Sequence, residues 1–456
     1  MTHISRKRTQ FFIFLADLTL LLLAIPITLF LRKFQIPEME RVFEHLVSFV
    51  PIIAFWGMLM YGSGLYSLEN PYRGFHIIVK MSAIGVVTLL FGFAEFYLFL
   101  GDIITPKTVL VIYCLLSFVL LMLWRTAYNY FFGVRRTSPK IAFIGNNETV
   151  RSLIAEMKRF SYFSFTPFVV YDPNPDNSDA GNVTFFSDSK AFSEFLETKR
   201  LGYCVLAREK EFPMEIRQEL FMLLGSGVVF YSLPDFYEMV TRRIPIGTIN
   251  DTWLLSHLDA APRFGFDGLK RLFDLLISSL ILALTALFWP IIALLIKLES
   301  PGPVFFRQQR EGRGGKAFSI LKFRTMRVEG NTYKPTGTND NRITALGNFM
   351  RKTRIDEVPQ VINVFRGDMS LIGPRPERPE IAVDLEKTIP YYRQRLIVKP
   401  GITGWDQVSG EYHSPSIEDT YKKLQLDLYY IKNRSVLLDI SIFFKTITTV
   451  LKRTGR

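Results

Sequence analysis

Two cysteines among 456 residues, Cys114 inside a long apolar run and Cys204 in the part beyond those runs, exclude a disulfide framework and any zinc site built on paired thiols. Acidic residues are also scarce, 42 against 55 lysines and arginines, for a net charge of +13. That imbalance points towards nucleic acid, an anionic membrane surface or anionic substrates. The chain has no zinc finger, no RNA-binding aromatic motif and no long basic tail, which removes nucleic acid from the three.

Apolar sequence is abundant and concentrated. Runs at 11–31, 46–66, 77–100 and 108–131 each approach or exceed the roughly 20 residues needed to cross a bilayer as helix. A signal peptide is the alternative for the first run, since Arg6, Lys7 and Arg8 precede it, but no small-residue cleavage site follows. Four spans are expected, with both ends of the bundle inside the cell, because basic residues flank its start and, at Arg135, Arg136 and Lys140, its end. Arg32, Lys33 and Arg41 in the first outer loop weaken that asymmetry.

Between 139 and 262 the pattern changes to short apolar strands, at 141–145, 168–172, 203–206 and 228–231, alternating with amphipathic helices. This reads as a doubly wound, Rossmann-like α/β domain. Gly145 opens its first loop and Asp172 stands where a ribose-binding acid would be, yet two of the three glycines of a dinucleotide loop are missing. A structural or regulatory domain without NAD is expected. No Tyr-x-x-x-Lys pair occurs there either, which counts against a membrane-anchored nucleotide-sugar epimerase or dehydratase.

A fifth apolar run, 275–296, contains Trp289-Pro290 and has basic flanks at both ends. Proline removes a backbone hydrogen bond, and a spanning helix usually shows charge asymmetry. A re-entrant helix, broken at Pro290 and covering about 267–299, is expected rather than a fifth crossing. Beyond it, Arg307 to Lys316 reads as a Gly-rich basic turn, and 318–326 as a short strand presenting Lys322 and Arg324 on one face.

The chemistry concentrates in Arg351-Lys352-Thr353-Arg354-Ile355-Asp356-Glu357-Val358-Pro359-Gln360 and in Gly373-Pro374-Arg375-Pro376. Pro359 marks a first helical turn, which would set the acidic pair at the positive end of a helix dipole, where phosphate is also favoured. A carboxylate nucleophile and a phosphorylated substrate can share such a pocket.

These segments resemble the bacterial sugar transferase family, the monotopic phosphoglycosyl transferases. The resemblance rests on the broken helix with Trp289-Pro290, Lys322-Phe323-Arg324-Thr325-Met326, Asp356-Glu357-Val358-Pro359-Gln360, Gly373-Pro374-Arg375-Pro376 and Lys399-Pro400-Gly401-Ile402-Thr403-Gly404-Trp405, in the family's order from Arg263 onward. The four spans and the degenerate nucleotide fold resemble its large, multidomain subgroup. The implied organisation is a transmembrane domain at 1–138, a Rossmann-like domain at 139–262 and a catalytic domain at 263–456. The implied reaction moves a hexose-1-phosphate from a UDP-sugar to undecaprenyl phosphate and releases UMP, on the cytoplasmic face of the bacterial inner membrane, opening exopolysaccharide, capsule or O-antigen synthesis. Asp356 is the implied nucleophile and Glu357 its partner, both as tentative Mg2+ ligands; Lys322, Arg324, Arg351, Gln360, Arg375 and Thr403 are the implied phosphate or substrate contacts. Membrane lipid is an implied partner, and a homodimer is left open. A catalytically silent scaffold is the non-enzyme alternative, disfavoured by the intact Asp-Glu pair. Asp406 departs from the family, which usually has a small residue there. Residues 436–445 read as an interfacial helix or a core helix.

Overall fold

The computed structural model describes residues 3–66, 75–98, 107–128, 130–131, 140–159, 166–174, 183–198, 201–207, 213–258, 264–327, 340–409 and 416–451. By contact the chain divides into two units, between Phe236 and Tyr237.

The first unit begins with four long helices, α1 (His3–Lys33), α2 (Met39–Gly62), α3 (Phe75–Leu98) and α4 (Lys107–Tyr128). The shortest has 22 residues, roughly 33 Å at 1.5 Å per residue, enough for a hydrocarbon core of about 30 Å. Thr9–Lys33, Met39–Gly62 and Thr108–Tyr128 meet the length and composition of a membrane span, as does Gly265–Glu299 in the second unit. The four pack in a ring, α1 on α2 and α4, α3 on α2 and α4. Its interior is aromatic, with Phe49 and Tyr113 edge to face at 4.8 Å, while Leu23, Leu90, Leu115 and Leu123 point outward. Among the described residues an ion pair is buried inside, Arg125 to Asp17 at 2.5 Å, with Arg125 also donating to the Leu65 carbonyl. Such a pair ties α1 to α4 where neither charge is left alone.

Five parallel strands follow: β1 (Lys140–Ile144), β2 (Thr166–Tyr171), β3 (Thr184–Phe186), β4 (Tyr203–Leu206) and β5 (Val229–Ser232), in the order β3-β2-β1-β4-β5. Helices α5 (Glu148–Arg159), α6 (Ser189–Thr198) and α7 (Met214–Leu224) connect them, and α8 (Leu233–Thr241) follows β5. The four expected strands are present, and β3 adds a short edge strand that sequence reading passed over. Ala142, Ile144, Val169, Tyr171, Cys204 and Ile216 form one core, while Phe143 packs against Phe236. Burial on both sides explains why the strands read as continuous apolar runs. In the loop after β1, the Asn146 amide donates to Asp172 Oδ2 at 2.7 Å and the Val150 amide to Asn147 Oδ1 at 2.9 Å. Asp172, at the position a ribose-binding acid would take, thus holds the protein's own backbone, and Glu148 adds negative charge at the helix start.

In the second unit, the residues from Tyr237 to Leu258 were expected to close the middle domain. They instead supply Ile244, Ile246, Ile249, Leu254 and Leu258 to the C-terminal core, with α9 (Asp251–His257) capped by Asn250. The fifth apolar run is broken as expected: α10 (Phe264–Thr285), a 3-10 turn at Ala286–Phe288, then α11 (Trp289–Glu299) with Pro290 in its first turn. There the Thr285 hydroxyl accepts from the Trp289 indole at 3.3 Å. Unbroken, 35 residues would extend roughly 52 Å. Yet both ends are bonded to one body. Near the start, Lys270 reaches Asp439 and the Ile372 carbonyl, and Asp274 accepts from Ser370 and Leu371. At the far end, Ile296 packs with Phe323 and Met350.

The remaining elements are the antiparallel hairpin β6 (Phe305–Glu311) and β7 (Ala317–Phe323), α12 (Ala345–Thr353), α13 (Val361–Arg366), β8 (Ser370–Ile372), α14 (Pro379–Thr388), β9 (Gly401–Thr403), α15 (Ile417–Lys432) and α16 (Val436–Leu451). The segment from Arg307 is therefore strand to Glu311, and only the five residues after it turn. Helix α16 buries Ile442 and Asp439 in the core. Strands β8 and β9 run parallel and come unusually close at two glycines. A Cβ on Gly401 would lie 2.1 Å from the Gly373 nitrogen, and one on Gly373 2.5 Å from the Lys399 carbonyl. This contact laces the loop carrying Arg375 to the one carrying Lys399.

Gly401→Ala is therefore expected to lower stability by about 1–3 kcal/mol through overpacking, read as thermal unfolding in detergent. Gly268→Ala, with nothing within 4 Å of the added carbon, is the control and is expected to show no loss.

Candidate active site

Asp356 and Glu357 lie on a 3-10 turn, Ile355–Gln360, between α12 and α13. The chain enters it through Arg354 in the left-handed region, φ 59°, a conformation costing a non-glycine residue about 1–2 kcal/mol. This corrects the expected helix dipole: Pro359 is the fifth residue of the turn, and the α13 that follows has only six residues. Side-chain cations, not a dipole, set the field.

Glu357 is the most heavily paired of these groups. Its Oε1 accepts from Lys322 at 2.7 Å and from Arg375 at 2.6 Å, and Arg354 lies 3.8 Å from Oε2. Burial opposes its charge, but Arg375 and Lys322 outweigh burial and hold the carboxyl well below the usual range. In return Glu357 raises Arg375 above its ordinary value, while burial, outweighing the same partner, lowers Lys322.

Asp356 differs in kind. It is buried, and its Oδ1 has no hydrogen-bond partner among the described residues. Burial first, and the charge on Glu357 second, push its carboxyl up to about 6, against the pull of Lys322, Arg354 and Arg351. At neutral pH it is an ionised, unshared oxygen facing a cationic surround. That is the condition of an available nucleophile or metal ligand.

The other expected site residues divide. Arg351, in the last turn of α12, acts on Asp356 by charge and donates through Nε to Thr325 at 2.9 Å. Gln360 is 1% exposed, with its amide nitrogen unpartnered among the described residues. Arg324 lies one residue beyond β7 and does not share the duty of Lys322: its guanidinium donates to the Pro301 and Ser300 carbonyls and the Ser300 hydroxyl at the end of α11. The Thr403 hydroxyl bonds Thr446 of α16 at 2.9 Å. Sequence reading missed Arg395, which donates to the Arg375 carbonyl at 2.8 Å; no motif marks it beyond its nearness to Lys399. A small recess opens beside Arg375, lined by Glu311, Pro374, Pro376, Glu377, Arg395 and Leu396.

The model of the bacterial sugar transferase family matches residues 266–453, which contain every one of these site residues. An Aeromonas hydrophila UDP-N-acetylgalactosamine-undecaprenyl-phosphate N-acetylgalactosaminephosphotransferase is 43% identical over 50% of this chain and 54% of its own length. A Caulobacter vibrioides UDP-glucose:undecaprenyl-phosphate glucose-1-phosphate transferase is 41% identical over 42% of this chain and 72% of its own. The chain belongs to the bacterial sugar transferase family. An Escherichia coli K12 relative, also named UDP-glucose:undecaprenyl-phosphate glucose-1-phosphate transferase, extends the likeness to 67% of this chain at 35% identity, covering 66% of its own length. The chain thus spans about half of the Aeromonas relative and just under two thirds of the Escherichia one.

Unequal partnering gives opposite expectations for the two carboxylates. Raising the folded-state pKa of an acid costs stability as pH rises from the unfolded value, 3.8, to about 6, and the cost is complete above that. Asp356→Asn should therefore raise stability at pH 8 by about 2–3 kcal/mol, with the gain fading towards pH 4. Glu357→Gln should lower it by roughly 3 kcal/mol by leaving buried cations uncompensated. Thermal unfolding across pH checks both.

Proposed function

We propose that this family member transfers a hexose-1-phosphate from a UDP-sugar to undecaprenyl phosphate in two half-reactions, with Asp356 as the nucleophile. The supporting observation is the unshared, buried carboxylate of Asp356 beside a Glu357 already saturated by cations. In the first half-reaction an Asp356 oxygen attacks the sugar-bearing phosphorus, the bond to the bridging oxygen breaks, and UMP leaves with the electron pair. In the second, an oxygen of the prenyl phosphate attacks the same phosphorus and returns the carboxylate. Arg375 and Lys322 lower the cost of gathering two anionic substrates, and Arg351 adds charge near Asp356. The relatives' names differ in the sugar, so the proposal extends to the hexose-1-phosphate class.

The donors fit Mg2+ in one arrangement. Asp356 Oδ1 is free to bind it, Glu357 is occupied, and no group of three or more candidate ligands occurs among the described residues. This suits an ion held by one carboxylate together with diphosphate oxygens and water. When bound it would offset the diphosphate charge. The middle domain, Rossmann-like in strand order, is read as holding no NAD, since Asp172 and Asn147 take up loop amides that a pyrophosphate would need.

The broken helix is read as re-entrant, dipping into one leaflet so that Asp356 meets the prenyl phosphate at headgroup level. The attachment of both its ends to one body supports this, and a cytoplasmic face of the inner membrane follows from the charge pattern. Cysteines placed at Gly268 and Lys316 should both escape labelling from outside intact cells; labelling of Lys316 alone would refute re-entry.

For the chemistry, Asp356→Asn is expected to abolish UMP release from membranes supplied with UDP-sugars. Wild-type protein given UDP-sugar without lipid should gain one hexose phosphate on the peptide containing Asp356. Substantial activity in Asp356→Asn would exclude the covalent route.

A further inference from the structure

One segment of the second unit is left unused by phosphoryl transfer. Residues 237–258 lie wholly ahead of 266–453, the stretch that the family model matches, yet they are bonded along their length to the core that carries the site. On α8, Glu238 accepts from Lys432 at 2.5 Å and from Asn433 at 2.6 Å, both at the end of α15. The Ile244 amide donates to the Gln425 carbonyl, also on α15, at 3.1 Å, and Asp251 accepts from the Tyr391 hydroxyl at 2.8 Å. With Ile244, Ile246, Ile249, Leu254 and Leu258 in the core, the segment is a strap rather than a linker.

Arg242 stands at its bend. The chain leaves α8 there at φ 57°, a conformation that glycine adopts freely and a long side chain seldom does. The Trp405 indole donates to the Arg242 carbonyl at 3.3 Å, and the Arg242 guanidinium lies over the Trp405 ring at 6.0 Å. Trp405 is 4% exposed, packs on Tyr429 of α15 at 5.7 Å and has Lys445 of α16 over it at 4.4 Å. Just before it, a Cβ on Gly404 would lie 2.7 Å from the Gly373 carbonyl oxygen, and the Thr403 carbonyl accepts from the Gly373 amide at 2.9 Å. Trp405 thus closes the loop after β9, which is laced to the loop carrying Arg375. A second connection runs through α15. Asp427, two residues after Gln425, pairs with Arg395 at 2.9 Å, and Arg395 donates to the Arg375 carbonyl at 2.8 Å.

We propose that the strap of residues 237–258 positions Arg375, with the bond between Arg242 and Trp405 as its joint. Arg242 and Trp405 are positioning residues: they fix the main chain from which Arg375 reaches Glu357 and, on the phosphoryl-transfer reading, the diphosphate. The effect on substrate rests on that reading; the anchoring of the two loops by Trp405 does not. A joint that holds a donor without taking part in bond making supports the bound substrate and the transition state alike, so its loss falls on KM rather than on kcat.

The test uses the full-length chain and compares wild type with Arg242→Gly, which frees the backbone at the bend and removes the guanidinium, with Trp405→Phe, which keeps an aromatic ring without the indole donor, and with the two combined. With a UDP-hexose that wild type turns over, KM measured by UMP release should rise several-fold in each single variant while kcat stays within about twofold. The double variant should rise no further, because both changes remove one joint. Hydrogen exchange read by mass spectrometry should quicken in the peptides containing Gly373 and Gly401 and not in α12. An unchanged KM, with or without a fall in kcat, would overturn the positioning role, since loss of folded protein alone lowers kcat. Effects that add in the double variant would overturn the joint, and unchanged exchange at Gly373 and Gly401 would overturn the anchoring. Absence of UMP release in wild type would count against phosphoryl transfer, leaving the exchange rates to decide the anchoring.

Discussion

Much of the catalytic unit depends on one buried anion, Glu357. A carboxylate removed from water costs several kcal/mol, so it persists only where cations converge on it. Lys322 arrives from β7, Arg375 from the loop after β8 and Arg354 from the end of α12. Three separate stretches of chain are thereby fixed around a single side chain. The same convergence leaves Asp356, one residue away, inside a positive field without being bonded to it. Glu357 is the heavily paired member of the acidic pair, and its saturation leaves Oδ1 of its neighbour unshared among the described residues.

Glycine has a matching role in the backbone. The approach of Gly373 and Gly401 lets two loops share hydrogen bonds, Gly373 to the Thr403 carbonyl and Gly401 to the Pro374 carbonyl. Arg375 is held from below by this contact and from the side by Arg395. These bonds hold the main chain at Arg375, while Glu357 at 2.6 Å holds its guanidinium; a donor fixed in advance loses little further freedom on binding, which is how preorganised donors gain their effect.

Much of this was legible in the sequence because it is written in local pattern. Apolar length gave the long helices, runs buried on both faces gave the parallel strands, and Pro290 gave the break. The reading failed where long-range packing decides. A Pro-containing turn looks like a helix start unless the distant cations that satisfy its acids are known. Lys322 and Arg324 share strand parity, yet β7 ends at Phe323, so the chain turns and sends Arg324 to α11. Arg395 and Asp427 are 32 positions apart, and no spacing rule links them. Residues 244–258 were assigned to the wrong neighbour because an apolar stretch does not announce which core it will join.

Arg324 makes the joint between the apolar helix and the site a stiff one. Its guanidinium gathers the Pro301 and Ser300 carbonyls and the Ser300 hydroxyl, two residues along the chain from Lys322. Any displacement of α11 along its own axis therefore pulls on the root of β7. The apolar segment and the lysine that bonds Glu357 are thereby coupled through one arginine, so the position of the helix end bears on the position of a charge more than twenty residues away in sequence.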